Sequence, residues 1–204
     1  REGTSPDFMN IDFVILAAGK GTRMGGVSPK VLANLGGQPM LQNLINTTNN
    51  FKRSKRILVA GHKANKVKEQ IKTTKNTDWV KQNKQLGTAH AVKQALSSLR
   101  KGSVSVILYG DVPLVSSATL KKLISSAKNN NLSLLTFNTD NPSGYGRIVR
   151  KGRNTIDQIV EEKDASASQK EIKEVNSGIM AIKSNHLSNL IPLVKNKNAA
   201  KEFY

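Results

Sequence analysis

The chain has 204 residues, of which 23 % are charged and none is cysteine. This length favours one domain with a sizeable core, and the absence of cysteine excludes a disulfide framework, a thiolate zinc site and a cysteine nucleophile. The formal charge of +18 favours anionic partners such as nucleic acid, acidic lipid or phosphorylated small molecules, although a general bias towards Lys and Asn is the simpler explanation. No apolar run approaches the roughly 20 residues of a membrane span.

Residues 1–8 are polar and turn-rich, and Met9 directly precedes an apolar strand pattern. We therefore interpret Met9 as the natural start of a domain over 9–204, and residues 1–8 as a leader or a cloning remnant. These residues lack the apolar stretch of a signal peptide, which argues against secretion. Together with the absence of cysteine, this fits a cytoplasmic location.

Short apolar runs and amphipathic segments alternate from Met9 onwards. The apolar runs predict strands at 11–19, 56–61, 79–81, 103–110 and 132–137. The segments with apolar residues at helical spacing predict helices at 39–50, 64–72, 88–99 and 116–128. Such alternation implies βαβ crossovers and a mainly parallel sheet.

The second half of the chain changes character. Residues 146–164 predict two short strands joined by a Lys-Gly turn, and a strand at 175–183 and a helix at 185–194 follow. We interpret this part as an antiparallel insertion beside the sheet. The predicted fold class is therefore α/β, a Rossmann-like doubly wound, mainly parallel sheet with a small antiparallel insertion. No internal repeat is present, and in particular no hexapeptide repeat.

A glycine-rich loop follows the first predicted strand, with the sequence LAAGKGTRMGGVSPK over residues 16–30. Glycine lets backbone N–H groups approach a ligand closely, so such a loop can cradle phosphate groups. It does not match the Walker pattern, because no Gly-Lys-Ser/Thr follows at the required spacing. It does not match Gly-x-Gly-x-x-Gly either, because Met24 stands where the third glycine belongs. Its cations, Lys20, Arg23 and Lys30, suit a triphosphate. The alternative is an ordinary surface loop with solvated charges.

A second candidate segment, LYGDVPL at 108–114, ends a central strand at the edge where α/β sheets gather ligands. Asp111 at that edge either holds Mg2+ against substrate phosphates or caps the following turn. Glu161 and Glu162 are either an acceptor for sugar hydroxyls or, as is commoner for such a doublet, a solvated pair. His62 and His90 have no second His at metal-ligand spacing, so we expect His90, at a helix start, to be structural. The basic stretch 51–75 is more typical of a solvated face than of a nucleic-acid groove.

Several motifs occur in one order along the chain: LAAGKGTRM, PKVL, QLGTAHAV, LYGDVPL, GYGRIVR, IVEEKDA and VNSGIMA. Together they closely resemble the N-terminal uridylyltransferase domain of the bacterial bifunctional GlmU family, the N-acetylglucosamine-1-phosphate uridylyltransferases. The resemblance extends from Ile11 to about Tyr204. The first motif is shared by many sugar-phosphate nucleotidyltransferases, whereas the later motifs are more specific.

This resemblance implies Mg2+-dependent transfer of UMP from UTP to N-acetylglucosamine 1-phosphate, which forms UDP-N-acetylglucosamine, a precursor of peptidoglycan and lipopolysaccharide, and releases pyrophosphate. It implies that Arg23, Lys30 and Asp111 are catalytic and that Asp111 is the metal ligand. The residues it implies for substrate binding are Leu16, Ala17, Ala18, Gly19, Lys30, Gln82, Gly87, Thr88, Tyr109, Gly110, Asp111, Gly144, Glu161 and Asn176. Among these, Gln82, Gly87 and Thr88 would contact the uridine, and Gly144, Glu161 and Asn176 the sugar.

The sequence departs from the family pattern in two places. Ala89 stands where the family often has glycine, and its methyl group would weaken nucleotide binding if the helix start needed a positive φ or a very close approach of the ligand there. Beyond the last residue, Tyr204, the family continues with an Asn that also binds Mg2+ and with a trimeric β-helix acetyltransferase domain. We therefore expect a truncated, monomeric, binding-competent but impaired catalyst with no acetyltransferase activity.

Two alternatives remain open. The first is another sugar-1-phosphate nucleotidyltransferase with a different base or sugar. The second is a non-catalytic basic binding module, which would bind nucleic acid with a steep salt dependence and independently of Arg23 and Asp111. We expect neither nucleic acid nor membrane as a partner.

Overall fold

The computed structural model describes residues 9–19, 28–61, 63–153, 155–198 and 201–203. In these residues the strands are β1 (Ile11–Ala17), β2 (Asn34–Leu35), β3 (Gln38–Pro39), β4 (Ser54–Ala60), β5 (Thr77–Lys81), β6 (Val104–Tyr109), β7 (Leu132–Asn138), β8 (Arg147–Gly152), β9 (Thr155–Val160) and β10 (Glu174–Lys183). The α-helices are α1 (Met40–Thr48), α2 (Ala64–Gln70), α3 (Thr88–Ala95), α4 (Ser117–Asn129), α5 (Ala167–Lys170) and α6 (Ser184–Leu190).

Within the described ranges, eight strands form one mixed sheet in the order β5-β4-β1-β6-β10-β8-β9, with β7 also paired to β10. The strands β5, β4, β1 and β6 are mutually parallel. The remaining pairs, from β6–β10 to β8–β9, are antiparallel. The predicted α/β, Rossmann-like fold class is confirmed.

The alternation of side chains along β1 divides the core between the two faces of the sheet. Phe13 and Ile15 pack in a cluster with apolar residues of α1 and α4, whereas Val14 packs in a second cluster with residues of α3 and α6. Both faces of the central strands are therefore covered by helices, which is why their sequences are continuous apolar runs. No helix in the described residues is long and apolar enough to cross a membrane.

The far half of the sheet differs from a simple succession of βαβ units. The crossover from β6 through α4 to β7 is present, but β10 lies between these two strands and runs antiparallel to both. The predicted antiparallel hairpin is confirmed as β8 and β9, but Lys151 and Gly152, which were predicted to form the turn, end β8, and the turn follows at Arg153. The short β2–β3 hairpin and the single turn of α5 were not predicted.

Candidate active site

The carboxyl ends of β1 and β6 lie side by side and form the floor of the site. Leu16 of β1 is the register partner of Tyr109 of β6. The next residue after β6, Gly110, donates its N–H to the carbonyl of Leu16 at 2.9 Å. A Cβ at Gly110 would lie 2.9 Å from Cγ1 of Val31, so only glycine fits without displacement of that side chain.

The two predicted catalytic residues that the structure describes, Lys30 and Asp111, form an ion pair. Nζ of Lys30 lies 2.8 Å from Oδ2 of Asp111. Pro29 precedes a 3-10 turn at Lys30–Leu32, and this turn presents Lys30 to the end of β6. The other cations of the glycine-rich loop, Lys20 and Arg23, lie outside the described residues.

A smaller cavity of about 330 Å³ lies above this floor. It is lined by many of the residues predicted to bind the nucleotide, namely Leu16, Ala18, Gly19, Lys30, Gln82, Gly87, Thr88, Tyr109 and Asp111. The side chain of Ala17 belongs instead to the hydrophobic core. Lys30 and Asp111 thus share one cavity with the predicted uridine-contacting residues.

Gln82 and Gly87 are held by the segments around α3. Gln82 follows β5, is 2 % exposed, and donates its N–H to the carbonyl of Ala60 at 2.8 Å. Gly87 precedes α3 with a φ of +113°, and a Cβ there would lie 2.3 Å from the carbonyl oxygen of Phe203. Glycine at this position is therefore required by the close approach of the segment containing Phe203 as well as by its φ.

A larger cavity of about 690 Å³ adjoins the smaller one. Thr88 and Tyr109 line both cavities, and their hydroxyl oxygens lie 3.3 Å apart. Glu161 and Asn176, two of the three residues predicted to contact the sugar, line the larger cavity. A ligand that filled both cavities would pass beside the Thr88–Tyr109 pair.

Burial controls the protonation of the groups between the cavities. It raises the pKa of Tyr109, and the nearby carboxylates of Glu161 and Asp111 add to that rise. It also raises the pKa of Glu161, with a further contribution from Asp164. The phenol of Tyr109 therefore stays neutral at physiological pH and can donate a hydrogen bond to a ligand.

The Glu161–Glu162 doublet is not a solvated pair, because each carboxylate has its own environment. Glu162 is bonded to the buried guanidinium of Arg147 at 2.7 Å, and it accepts the N–H of Gly144 at 3.3 Å. The hydrogen bond from Arg147 lowers the pKa of Glu162. Gly144, the third predicted sugar contact, has a φ of +83°. Its hydrogen bond to Glu162 holds its turn next to Glu161.

Two features of the site were not predicted. The first is a bulge in β10 at Gly178, whose N–H donates to Oδ1 of Asn176 at 2.8 Å. The second is the segment that includes residues 197, 198, 202 and 203. There the Phe203 carbonyl accepts the N–H of Ala89 at 2.9 Å, and Glu202 lines the smaller cavity. A glycine inside a strand pattern could have indicated the bulge, but nothing in the sequence places residue 203 against α3.

The departure at Ala89 has no effect on the backbone. Ala89 lies in the first turn of α3 and is not among the described residues with a positive φ. Its methyl group is buried, with 6 % of the residue exposed. A positive φ is therefore not required at this position, whereas the effect of a close approach by the nucleotide stays a prediction.

Comparison with known protein families gives a match to the MobA-like NTP transferase domain over residues 13–171. The chain belongs to this family. It is accordingly a nucleotidyltransferase, and the matched residues run from β1, beneath the smaller cavity, into the segment after α5. Members of this type generally use a divalent metal.

The resemblance to the GlmU family is also confirmed. The chain is 46 % identical over 194 residues to the bifunctional protein GlmU of Cellvibrio japonicus, and covers 43 % of that protein. It is 48 % identical over 196 residues to the GlmU of Dechloromonas aromatica, and covers 42 % of it. These matches include 95 % and 96 % of this chain. The chain therefore spans less than half the length of these relatives.

Solved structures share the fold of this NTP transferase domain. A UDP-glucose pyrophosphorylase complexed with UDP-glucose superposes with a TM-score of 0.77 at 14 % identity, over 96 % of this chain and 83 % of that one. HddC from Yersinia pseudotuberculosis, complexed with GMP-PN, superposes with a TM-score of 0.66 at 25 % identity, over 87 % of this chain and 79 % of that one.

Proposed function

We propose that this domain transfers UMP from UTP to N-acetylglucosamine 1-phosphate, which forms UDP-N-acetylglucosamine and pyrophosphate. The observation that carries the proposal is the meeting of two cavities at Thr88 and Tyr109, with Lys30 and Asp111 beside that junction. A nucleotide in the smaller cavity and a sugar phosphate in the larger one would have their phosphates next to each other. The identity to GlmU proteins over nearly the whole chain supports this choice of substrates.

The proposed reaction needs alignment and charge neutralisation rather than a protein nucleophile. A phosphate oxygen of the sugar phosphate attacks the α-phosphorus of UTP, and the bond to the leaving pyrophosphate breaks. Lys30, together with Arg23, would neutralise the negative charge that develops on the phosphates. Positioning the two phosphates in line accounts for much of the remaining rate enhancement.

The binding roles follow the two cavities. Residues 16–19, Gln82, Gly87 and Thr88 would hold the uridine, and Tyr109 and Gly110 would lie beneath the sugar and phosphates. Glu161 and Asn176 would accept and donate hydrogen bonds to the sugar, with Gly144 beside them. A base whose hydrogen-bonding groups do not match Gln82 would leave buried donors or acceptors unpaired, which gives selectivity for uracil.

We propose Mg2+ as the divalent metal, with Asp111 as its protein ligand. The fit rests on chemistry: Mg2+ prefers oxygen ligands and is commonly held by one or two carboxylates together with substrate phosphates and water. The carboxylate of Asp111 lines the smaller cavity and is 31 % exposed, so it is accessible to such an ion. When bound, Mg2+ would supply positive charge to the phosphates of UTP.

The same proposal covers location and partners. We expect the domain to act in the cytoplasm, where UTP is available, and to need neither nucleic acid nor a membrane. The positive charge then reflects composition more than a separate partner.

The decisive experiment measures pyrophosphate release from UTP in the presence of N-acetylglucosamine 1-phosphate and Mg2+. We expect release that requires the sugar phosphate, that prefers UTP over dTTP, GTP and CTP, and that disappears in Asp111→Ala. A preference for another nucleotide would replace UTP by that substrate. Binding of DNA or RNA that is unaffected by Asp111→Ala, without any pyrophosphate release, would overturn the proposal.

A further inference from the structure

The buried side chain of Gln82 is anchored by a histidine from the first turn of α3. Nε2 of Gln82 lies 2.9 Å from Nδ1 of His90. Gln82 is 2 % exposed and lines the smaller cavity. His90 lines a separate cavity of about 100 Å³ together with Lys93 and Phe203. His90 is therefore not among the described residues that line the smaller cavity, and its ring is linked to that cavity by the contact with Gln82.

The anchor determines which end of the amide is available to a ligand. A primary amide has a donor end, Nε2, and an acceptor end, Oε1, and the torsion that exchanges them is broad and roughly two-fold. Because Nε2 of Gln82 points towards His90 and uses one of its two hydrogens there, the opposite end of the amide, Oε1, is the end that we infer faces a base. Release of the anchor would allow the amide to turn over and present Nε2 instead.

The two amide ends suit different bases. N3 of uracil carries a hydrogen and donates, whereas N3 of cytosine is an acceptor. An amide oxygen that faces N3 therefore accepts a hydrogen bond from uracil and opposes cytosine, and an amide nitrogen does the reverse. A buried mismatch of this kind is costly, because neither group can turn to water.

We propose that His90 is a positioning residue that sets the preference for uracil over cytosine by fixing the orientation of the Gln82 amide. This inference rests on the proposed use of UTP and deepens it. It requires Nδ1 of His90 to accept the hydrogen bond from Gln82, so that the ring hydrogen lies on Nε2. On that side Nε2 of Gln94 lies 3.5 Å from Nε2 of His90, and in this tautomer both atoms are donors and do not bond to each other. Gln94 instead donates to the backbone carbonyl of His90, at 3.2 Å.

The test compares two variants of similar shape. His90→Asn keeps an oxygen near the position of Nδ1 and can still accept from Gln82, whereas His90→Leu has the same branching and cannot. Lys93→Leu, on the same helix and in the same small cavity, is the matched control. Each protein is titrated with UTP and with CTP by calorimetry, and transfer to N-acetylglucosamine 1-phosphate is assayed with both nucleotides. Urea unfolding checks that each variant is folded.

We expect the preference for UTP over CTP to fall roughly ten- to hundred-fold in His90→Leu. The change should come from weaker UTP binding, with kcat at saturating UTP altered much less. His90→Asn should retain most of the preference, and Lys93→Leu all of it. Ring 15N chemical shifts of His90 in the wild-type protein should show the hydrogen on Nε2.

Three results would overturn the inference while leaving the proposed function intact. The first is an unchanged ratio of UTP to CTP affinity in His90→Leu. The second is an equal loss of affinity for both nucleotides in that variant, which a merely structural role would produce. The third is a 15N spectrum that shows the hydrogen on Nδ1. A wild-type protein that binds neither nucleotide would overturn the proposed function and this inference together.

Discussion

Lys30 and Asp111 are 81 positions apart in the chain, yet Nζ of Lys30 lies 2.8 Å from Oδ2 of Asp111. Their side chains are 48 % and 31 % exposed, and ion pairs as exposed as this contribute only about 0–1 kcal/mol to stability. Stability therefore does not explain the pair. Its place at the floor of the smaller cavity fits the roles proposed above, in which Lys30 would bind a phosphate group and Asp111 a metal ion.

The first prediction concerns the charge of Lys30. In Lys30→Gln we expect kcat/KM for pyrophosphate release to fall by roughly 100- to 1000-fold, because a preorganised cation near the transferred phosphate is lost. The free energy of unfolding in urea should change by less than about 1 kcal/mol. The matched control is Lys173→Gln, which breaks the 2.8 Å pair with Asp140 on the surface and should leave the rate unchanged. Equal rates for the two variants would contradict the prediction.

The second prediction concerns Ala89, where the related family often has glycine. Because Ala89 already has a negative φ in α3, Ala89→Gly should not improve UTP binding measured by calorimetry. It should lower the free energy of unfolding by about 1 kcal/mol, the cost of glycine in a helix. Ala118→Gly, at the same position in the first turn of α4, is the control, because it measures the loss of unfolding free energy that comes from helix propensity alone. Tighter UTP binding in Ala89→Gly would show that the methyl group obstructs the nucleotide.

The central half of the fold could be predicted from local patterns. Strands β1, β4 and β6 are apolar runs because both of their faces are covered, and α1 and α4 show helical spacing. The position of β10 between β6 and β7 could not be predicted, because the apolar pattern of a strand indicates which face is buried but does not name its neighbours.

Local sequence patterns likewise indicate some residues of the candidate site and not others. Their place after buried strands makes the glycine-rich loop and Asp111 candidates for phosphate and metal binding, and these roles stay predictions. The roles proposed for Gln82 and Tyr109 rest only on the family resemblance, because neither residue stands in a local pattern with a distinctive chemistry. The contact of Phe203 with Ala89 joins distant segments through backbone atoms, and side-chain identities carry no information about it.

The third prediction concerns the close contact between Gly178 and Tyr109. Gly178 has a φ of +78°, and a Cβ there would lie 2.5 Å from the ring of Tyr109. Gly178→Ala should therefore displace the ring that separates the two cavities, and should lower the free energy of unfolding by about 2–3 kcal/mol. It should also raise KM for the sugar phosphate, because the larger cavity loses its wall.

Gly102→Ala is the control for that substitution. Gly102 has nearly the same φ, +75°, but no atom lies within 4 Å of its would-be Cβ. Its cost in urea unfolding, about 1 kcal/mol, measures the backbone strain alone, and its KM should be that of the wild type. If the two variants lost the same stability and kept the same KM, the contact with Tyr109 would have no role.

The last prediction uses the opposite pKa shifts of two neighbouring carboxyls. The hydrogen bond from Arg147 lowers the pKa of Glu162 below its usual value of 4.5. Its ionised form therefore stabilises the fold above that usual value, and this contribution is lost as the pH falls through the lower, folded-state pKa. Burial raises the pKa of Glu161 above 4.5, so stability that is fully present below the usual value is lost as the pH rises through the raised, folded-state pKa.

The variants Glu162→Gln and Glu161→Gln should consequently have effects of opposite sign. At pH 7, Glu162→Gln should lower the free energy of unfolding and Glu161→Gln should raise it, whereas well below the usual carboxyl pKa both should approach the wild type. Urea unfolding of the three proteins across this range measures the differences directly. A loss of stability in Glu161→Gln at pH 7 would mean that its carboxylate is held by a partner in the fold, rather than kept for the hydroxyls of a bound sugar.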